Sequence, residues 1–179
     1  MKWRSAVVVA FALVSLMAPA SAATITVGHS TDDFSTIRLT GTLVWNDVDQ
    51  FRRKTAAIPY GKGIVSLMSD GGSVYAALAI GTTVHDRGYG TLVPSHSTCA
   101  SACGLIWLSA NIRAMSDTAM VGFHGAYDAY TGQESSIVNA VVGAYLEQLG
   151  ISHKAIAYIT HAGPQQMRWL TPQQAAAIG

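Results

Sequence analysis

The sequence contains a serine and a histidine whose neighbours suit nucleophilic catalysis. Ser101 stands between two alanines, at the predicted start of an apolar helix over residues 101–109. A serine there can expose its hydroxyl as a nucleophile, and the N–H of Ala102 would lie beside the oxyanion that forms. His124 closes the apolar stretch 119–124, and imidazole is the usual base for an alcohol nucleophile. Taken singly, each has a simpler explanation: a helix cap for the serine and a structural role for the histidine.

A pair of glycines offers further hydrogen-bond donors. Gly71 and Gly72 follow a buried strand predicted for residues 63–68 and precede Ser73, which is predicted to cap a helix over residues 74–87. Paired glycines let the backbone turn sharply, and a helix start has unpaired N–H groups and the positive end of the dipole. The turn therefore suits an oxyanion hole, although ordinary tight turns use glycine as well.

Two cysteines, Cys99 and Cys103, flank the serine. One interpretation is a disulfide that braces the turn around Ser101, and the alternative is a pair of small thiols in the core. Two cysteines cannot form a zinc site alone, and the histidines have no metal-ligand spacing. We therefore predict no metal and no cofactor.

Residues 1–22 have the layout of a secretory signal peptide. Two basic residues precede an apolar run over residues 6–17, and the small residues 20–22 (ASA) form a cleavage site. The run is shorter than the ~20 residues that span a bilayer. We predict cleavage after Ala22, one mature domain over residues 23–179, and a periplasmic or secreted location, where disulfides persist and ATP is scarce.

Composition excludes several function classes. Of the 179 residues, 50% are hydrophobic and 12% are charged, which excludes a disordered chain. The formal net charge of +1, without a basic stripe, gives no field for nucleic acid. Beyond the N-terminus, no sequence window is apolar and long enough to span a membrane.

Strands and helices alternate along the mature sequence, which is typical of an α/β core with crossover connections. A kinked strand is predicted for residues 37–45, and Asn46 is predicted to cap the helix that follows. The predicted strands are 23–29, 37–45, 63–68, 90–94 and 119–124, and the predicted helices are 47–57, 74–87, 101–109, 135–150, 152–162 and one that opens at 172.

Together these motifs resemble the proteolytic subunit of the Clp protease, within the ClpP/crotonase superfamily. The resemblance runs from about residue 37 to residue 179 and is most specific at 71–80 (GGSVYAALAI), 100–102 (ASA) and 123–124 (FH). With the signal peptide, the chain resembles the extracytoplasmic Clp-protease-like proteins, whose serine motif also carries flanking cysteines. The resemblance implies a single-domain ClpP/crotonase-like α/β fold, with parallel strands and crossover helices.

The resemblance also implies roles for particular residues. Ser101 would be the nucleophile, His124 the general base, and the N–H groups of Gly71 or Gly72 and of Ala102 the oxyanion hole. The histidine would take the serine proton during attack and return it to the leaving group. Cys99 is disfavoured as the nucleophile because it lies off the matched position.

The third member of the family's triad is missing from its expected place. Alignment of residues 168–171 (RWLT) puts Met167 where the family has an aspartate. Methionine cannot orient an imidazole. Either another acceptor does so (Asp128, Glu134, Asn139 or a backbone carbonyl), or the site is a serine–histidine dyad, or it is inactive.

The favoured prediction is an extracytoplasmic serine hydrolase of the peptidase kind, with a peptide or protein substrate. The alternative is a catalytically silent ClpP-like domain that binds peptides or partners through the same cleft. Crotonase-type acyl-CoA chemistry is disfavoured, because free acyl-CoA is not expected beyond the membrane. We expect neither a nucleic acid nor an ATPase partner. Self-association as a homo-oligomer stays open, because residues 141–149 carry apolar side chains that a small core does not fully cover.

Overall fold

Helices and strands alternate along most of the chain in a computed structural model, which describes residues 22–29 and 33–178. The described strands are β1 (Thr24–His29), β2 (Ser35–Thr40), β3 (Gly63–Met68), β4 (Gly90–Val93), β5 (Thr98–Ala100), β6 (Arg113–Met115), β7 (Met120–Phe123) and β8 (Arg168–Leu170). The described helices are α1 (Asp47–Thr55), α2 (Val74–Asp86), α3 (Ala102–Ser109), α4 (Ser136–Gln148), α5 (His153–Thr160) and α6 (Pro172–Ile178).

The strands form two sheets. The larger has the order β1-β2-β3-β4-β6, and all its neighbours are parallel except the antiparallel pair β1–β2. The smaller has the order β5-β7-β8, with β5 and β7 parallel. A single parallel bridge between Ser69 and Cys99 joins the end of β3 to β5. The predicted ClpP/crotonase-like α/β class, with crossover helices between parallel strands, is confirmed.

The helices α2 and α3 pack against each other in the core. All eight residues of α3 are buried, as expected for a helix that is apolar on every side. Gly81 of α2 leaves no room for a side chain, because a Cβ there would lie 2.1 Å from the Tyr145 hydroxyl of α4. The helix after the glycine pair, α2, therefore packs closely against both α3, which follows Ser101, and α4.

Three strands, β5, β6 and β8, were not predicted, because three residues are too few to show an alternating pattern. The strand predicted over residues 37–45 ends earlier, at Thr40. Gly41 has φ +89°, and Thr42 and Leu43 then make isolated bridges to Ala22 and Gly72. The kink foreseen at Gly41 is thus the end of the strand.

The expected cap of α1 is wrong. Asn46 has helical backbone angles and makes no capping hydrogen bond through its side chain. The neighbouring Asp47 is fully buried instead, and its Oδ2 accepts the N–H of Val44 at 2.7 Å. Asparagine and aspartate serve equally well as caps, so composition alone does not tell which of the two turns inwards.

The predicted signal peptide lies outside the described residues, apart from Ala22. Within residues 22–29 and 33–178, no helix is long and apolar enough to cross a membrane. The same part of the chain contains no cluster of three side chains that could hold a metal ion.

Candidate active site

Ser101 stands at the junction between β5 and α3, in a backbone conformation that serine rarely adopts. Its angles are φ 56° and ψ −125°, and its side chain makes no capping hydrogen bond. Its N–H donates to the carbonyl of Gly122 in β7 at 2.7 Å, which ties the junction to the neighbouring strand. Such a conformation costs on the order of 1–3 kcal/mol and persists where the surroundings impose it. The helix-cap explanation for this serine therefore fails.

The first glycine of the pair lies directly against this serine. Gly71 has φ +94°, and a Cβ there would lie 2.8 Å from the Cβ of Ser101 and 3.0 Å from the nitrogen of Ala102. Its own N–H donates to the Ser69 hydroxyl at 3.1 Å. Only glycine fits this approach, and its N–H is already used within the turn.

The second glycine is wedged against the segment that follows β2. Gly72 has φ +131°, and a Cβ there would lie 2.3 Å from the carbonyl oxygen of Leu43. Leu43 also accepts the N–H of Ser73 at 2.9 Å and donates to the carbonyl of Gly71 at 2.7 Å. Two backbone hydrogen bonds of Leu43 thus hold the glycine turn on both sides. The sequence pattern did not reveal this role of Leu43.

The N–H groups of Gly72 and of Ala102, the first residue of α3, have no acceptor within the described part of the chain. Free N–H groups at helix starts are suited to binding a negative oxygen. Of the donors predicted from sequence, Gly72 and Ala102 are the pair available for this purpose.

His124 follows β7 and lines the same small cavity as Ser101. No hydrogen bond joins the two side chains here, and such contacts are often long in structures without substrate. The Nδ1 of His124 lies 2.8 Å from the carbonyl oxygen of Gly125. A carbonyl can only accept, so Nδ1 carries the hydrogen in this contact, and in the neutral ring Nε2 then has the lone pair. That tautomer is the one that a general base requires.

Gly125 is itself held firmly. Its N–H donates to the carbonyl of Ala162 at 2.8 Å, and a Cβ on it would lie 3.1 Å from the Oε1 of Glu134. That oxygen accepts the side-chain amide of Asn139 at 2.7 Å, and Asn139 in turn accepts the N–H of Ala126 at 2.7 Å. Glu134 and Asn139 therefore brace the segment beside the histidine without bonding its ring.

Neither Asp128 nor Met167 orients the imidazole as the third member of a triad would. Asp128 accepts hydrogen bonds from Thr131 and Tyr130, and these bonds lower the pKa of its carboxyl group. Met167 packs on β7 so closely that a Cβ added to Gly122 would lie 2.8 Å from its sulfur. Of the acceptors considered from sequence, the backbone carbonyl is the one that meets the imidazole.

The cavity shared by Ser101 and His124 has a volume of about 30 Å³. Most of its wall is apolar, from Val74, Leu105, Phe123, Val142 and Ile159. No lysine is among the described residues that line it. A larger cavity of about 400 Å³ lies among α3, α5 and α6 and is lined by neither Ser101 nor His124.

Cys99 and Cys103 are joined by a disulfide, with their Cα atoms 5.2 Å apart. Cys99 is in β5 and Cys103 is in α3, so the bond spans the turn that carries Ser101. Both cysteines are fully buried. The bond fixes the two ends of the serine turn relative to each other.

Searches against family models and against curated proteins found no match for the chain. Solved structures do share its fold. One is described as a "1510-N membrane-bound stomatin-specific protease", a serine-to-alanine mutant, with TM-score 0.56 and 18% identity over 79% of this chain and 74% of the other. Another is a lysine-to-alanine mutant of that protease in complex with a substrate peptide, with TM-score 0.58 and 19% identity over 79% of this chain and 70% of the other. These similarities establish the ClpP-like fold.

Proposed function

We propose that the chain is a serine hydrolase of the peptidase kind, with Ser101 as nucleophile and His124 as general base. The observation that carries the proposal is the conformation of Ser101, which holds a serine in an unfavourable backbone geometry with its hydroxyl free of any cap. A serine kept for helix stability would adopt the extended conformation of the other caps. Strain at a helix start beside a histidine is typical of a catalytic turn.

The reaction follows from the positions of the donors and acceptors. Nε2 of His124 would take the hydroxyl proton of Ser101 as the oxygen attacks a carbonyl carbon. The N–H groups of Gly72 and Ala102 would stabilise the negative oxygen of the tetrahedral intermediate. The imidazolium would then give its proton to the leaving amine or alcohol, and water would release the acyl group by the same steps in reverse.

A peptide substrate is supported by the fold neighbour that was solved with a substrate peptide. That neighbour carries a lysine-to-alanine substitution, whereas the cavity here contains His124 and no described lysine. We therefore assign the base to the histidine. The small, apolar cavity favours a small, uncharged side chain next to the bond that is cut.

Labelling with a fluorophosphonate probe tests the proposal. The folded protein should react at Ser101, and Ser101→Ala or His124→Ala should reduce the rate by a factor on the order of a thousand or more, because nucleophile and base act as a unit. Ser73→Ala and His153→Ala are matched controls, since Ser73 caps α2 and His153 is exposed and faces Glu147. Labelling that survives His124→Ala would contradict the assignment of the base.

The competing function is a catalytically silent domain that binds peptides in the same cavity. It is favoured by the absence of a hydrogen bond between Ser101 and His124 and by the neutral partner of the imidazole. A wild-type protein that takes up no probe, under conditions that label a known serine hydrolase, would support it. Met167→Asp would then show whether an acid at that position raises the labelling rate.

We also propose that the protein is exported and acts outside the cytoplasm. The support is the signal-peptide layout of residues 1–22 and the disulfide around the serine turn. Protein collected after export should begin at Ala23, which intact-mass measurement and N-terminal sequencing would reveal. Retention of Met1 would contradict export by this route.

A further inference from the structure

Asp47 is a fully buried carboxylate at the start of α1 that the proposed chemistry does not use. Its Oδ2 accepts the N–H of Ala23 at 3.2 Å and that of Val44 at 2.7 Å. Its Oδ1 is buried as well and has no partner within the described part of the chain. A buried carboxylate without a cation is costly, and natural proteins almost always pair it.

The donor to this carboxylate is the residue that would become the N-terminus after cleavage. Ala23 is 3% exposed, whereas Ala22 before it is exposed and bridges to Thr42. The peptide bond predicted to be cut therefore joins an exposed residue to a buried one. In the uncut chain, the nitrogen of Ala23 is an amide with a single hydrogen.

We infer that Asp47 is the binding site for the α-ammonium group of Ala23. Hydrolysis of the Ala22–Ala23 bond by an export peptidase uses one water: the hydroxyl goes to the carbonyl carbon of Ala22, and a hydrogen goes to the nitrogen of Ala23. The new amine takes a further proton from solvent at neutral pH, because its ordinary pKa is about 7.7–8.0. Three donors and a positive charge then replace a single N–H, so that Oδ1 of Asp47 can gain a donor while Oδ2 keeps its own. The inference rests on the proposed processing site and is independent of the serine chemistry.

The ion pair would also tighten the glycine turn. Asp47 holds the N–H of Val44, and Leu43 next to it is bonded to Gly71 and Ser73. One short segment thus connects the new N-terminus to the proposed oxyanion hole. Removal of the leader would therefore complete the set of contacts that supports that turn.

A double-mutant cycle tests the pair directly. Four proteins are compared by urea unfolding at pH 7: chains that begin at Ala23 or at Ala22, each with Asp47 or with Asp47→Asn. The chain from Ala22 keeps the same hydrogen bond but has a neutral amide at Ala23, so its charge lies one residue earlier. It also keeps the bridge from Ala22 to Thr42, which favours the longer chain and works against the expected difference. With Asp47 present, the chain from Ala23 should have an unfolding constant at least about tenfold smaller, since loss of one partner of a buried charge pair is strongly destabilising.

In Asp47→Asn the greater stability of the chain that begins at Ala23 should disappear, whereas Asp49→Asn, at an exposed aspartate of the same helix, should preserve it. Equal stability of the two starts in the wild-type background would overturn the inference, and that comparison stands even if Asp47→Asn does not fold. A greater stability of the chain from Ala23 that persists in a folded Asp47→Asn protein would overturn it too. Unfolding is measured without any substrate, so failure of the hydrolase proposal would leave this result untouched.

Discussion

Two serines stand at the two strand-to-helix junctions of this fold, and they are used in opposite ways. Ser73, before α2, has an extended backbone with φ −62° and ψ 115°, and its hydroxyl accepts the N–H of Ala76 at 3.3 Å. Ser101, before α3, has φ 56° and ψ −125° and caps nothing. The first serine stabilises its helix, while the second raises the energy of its own turn. The role of a serine before a helix is therefore shown by its backbone conformation, since the residue type is the same in both cases.

The second junction keeps its unusual shape because several contacts impose it. The N–H of Ser101 donates to a carbonyl of β7, and the disulfide joins the two sides of the turn. The backbone of Gly71 also lies so close to Ser101 that no side chain fits between them. The first junction has backbone contacts from Leu43 but no covalent brace. Removal of these supports, one at a time, should make the second junction behave like the first.

The largest effect is expected from a side chain added at Gly71. In Gly71→Ala the new Cβ would collide with Ser101 and with the nitrogen of Ala102. Probe labelling should fall by a factor on the order of a hundred, because displacement of Ala102 removes an oxyanion donor. Gly132→Ala is the matched control, because Gly132 also has a positive φ, +68°, but has open space around its Cα. Equal labelling rates in the two variants would show that the close approach at Gly71 is not needed.

The next effect concerns the covalent brace. Replacement of both Cys99 and Cys103 by alanine should lower the free energy of unfolding by about 2 kcal/mol, from the entropy of the small loop that the bond closes. Labelling should also slow, because the serine turn can then relax towards a normal cap. Thiol titration of the unfolded, unreduced wild-type protein should find no free thiol, and two free thiols would contradict the bonded state.

A third comparison sets a variant that relieves backbone strain at Ser101 beside one that removes the helix cap at Ser73. Ser101→Gly should raise the free energy of unfolding by about 1 kcal/mol, because glycine tolerates a positive φ. Ser73→Ala should lower it by about 1 kcal/mol, because a cap is lost. Chemical denaturation of both variants measures the two signs, and a Ser101→Gly protein less stable than the wild type would contradict the strain.

The smallest effect is expected at alkaline pH. Burial raises the pKa of Tyr145, whose hydroxyl lies between Gly81 of α2 and Ser109 of α3. Its protonated form favours the folded state, so this contribution is intact below the ordinary pKa of about 10 and is lost as pH rises above it. At pH 10.5 the loss should be about 0.8 kcal/mol, and Tyr145→Phe should remove it. Identical alkaline unfolding curves for the two proteins would contradict the argument.

The sequence predicted the parts of this molecule that depend on local pattern. The strand–turn–helix order around Gly71 and Gly72 follows from apolar runs broken by glycine, and it is confirmed. The backbone of Ser101 and the buried position of Asp47 were not foreseen, because both depend on contacts with residues distant in sequence. For the imidazole, the sequence offers an unspecified backbone carbonyl as one of several acceptors, and the structure shows that Gly125 supplies it. No residue type marks such an acceptor, since every residue has a carbonyl.

That carbonyl belongs to the residue directly after the histidine. The orientation of the ring is therefore set by one peptide unit and does not require an acid delivered by a distant part of the polypeptide. In the proposed hydrolase, the base and the acceptor that orients it are thus neighbours in sequence, and the position of Met167 has no acid to supply.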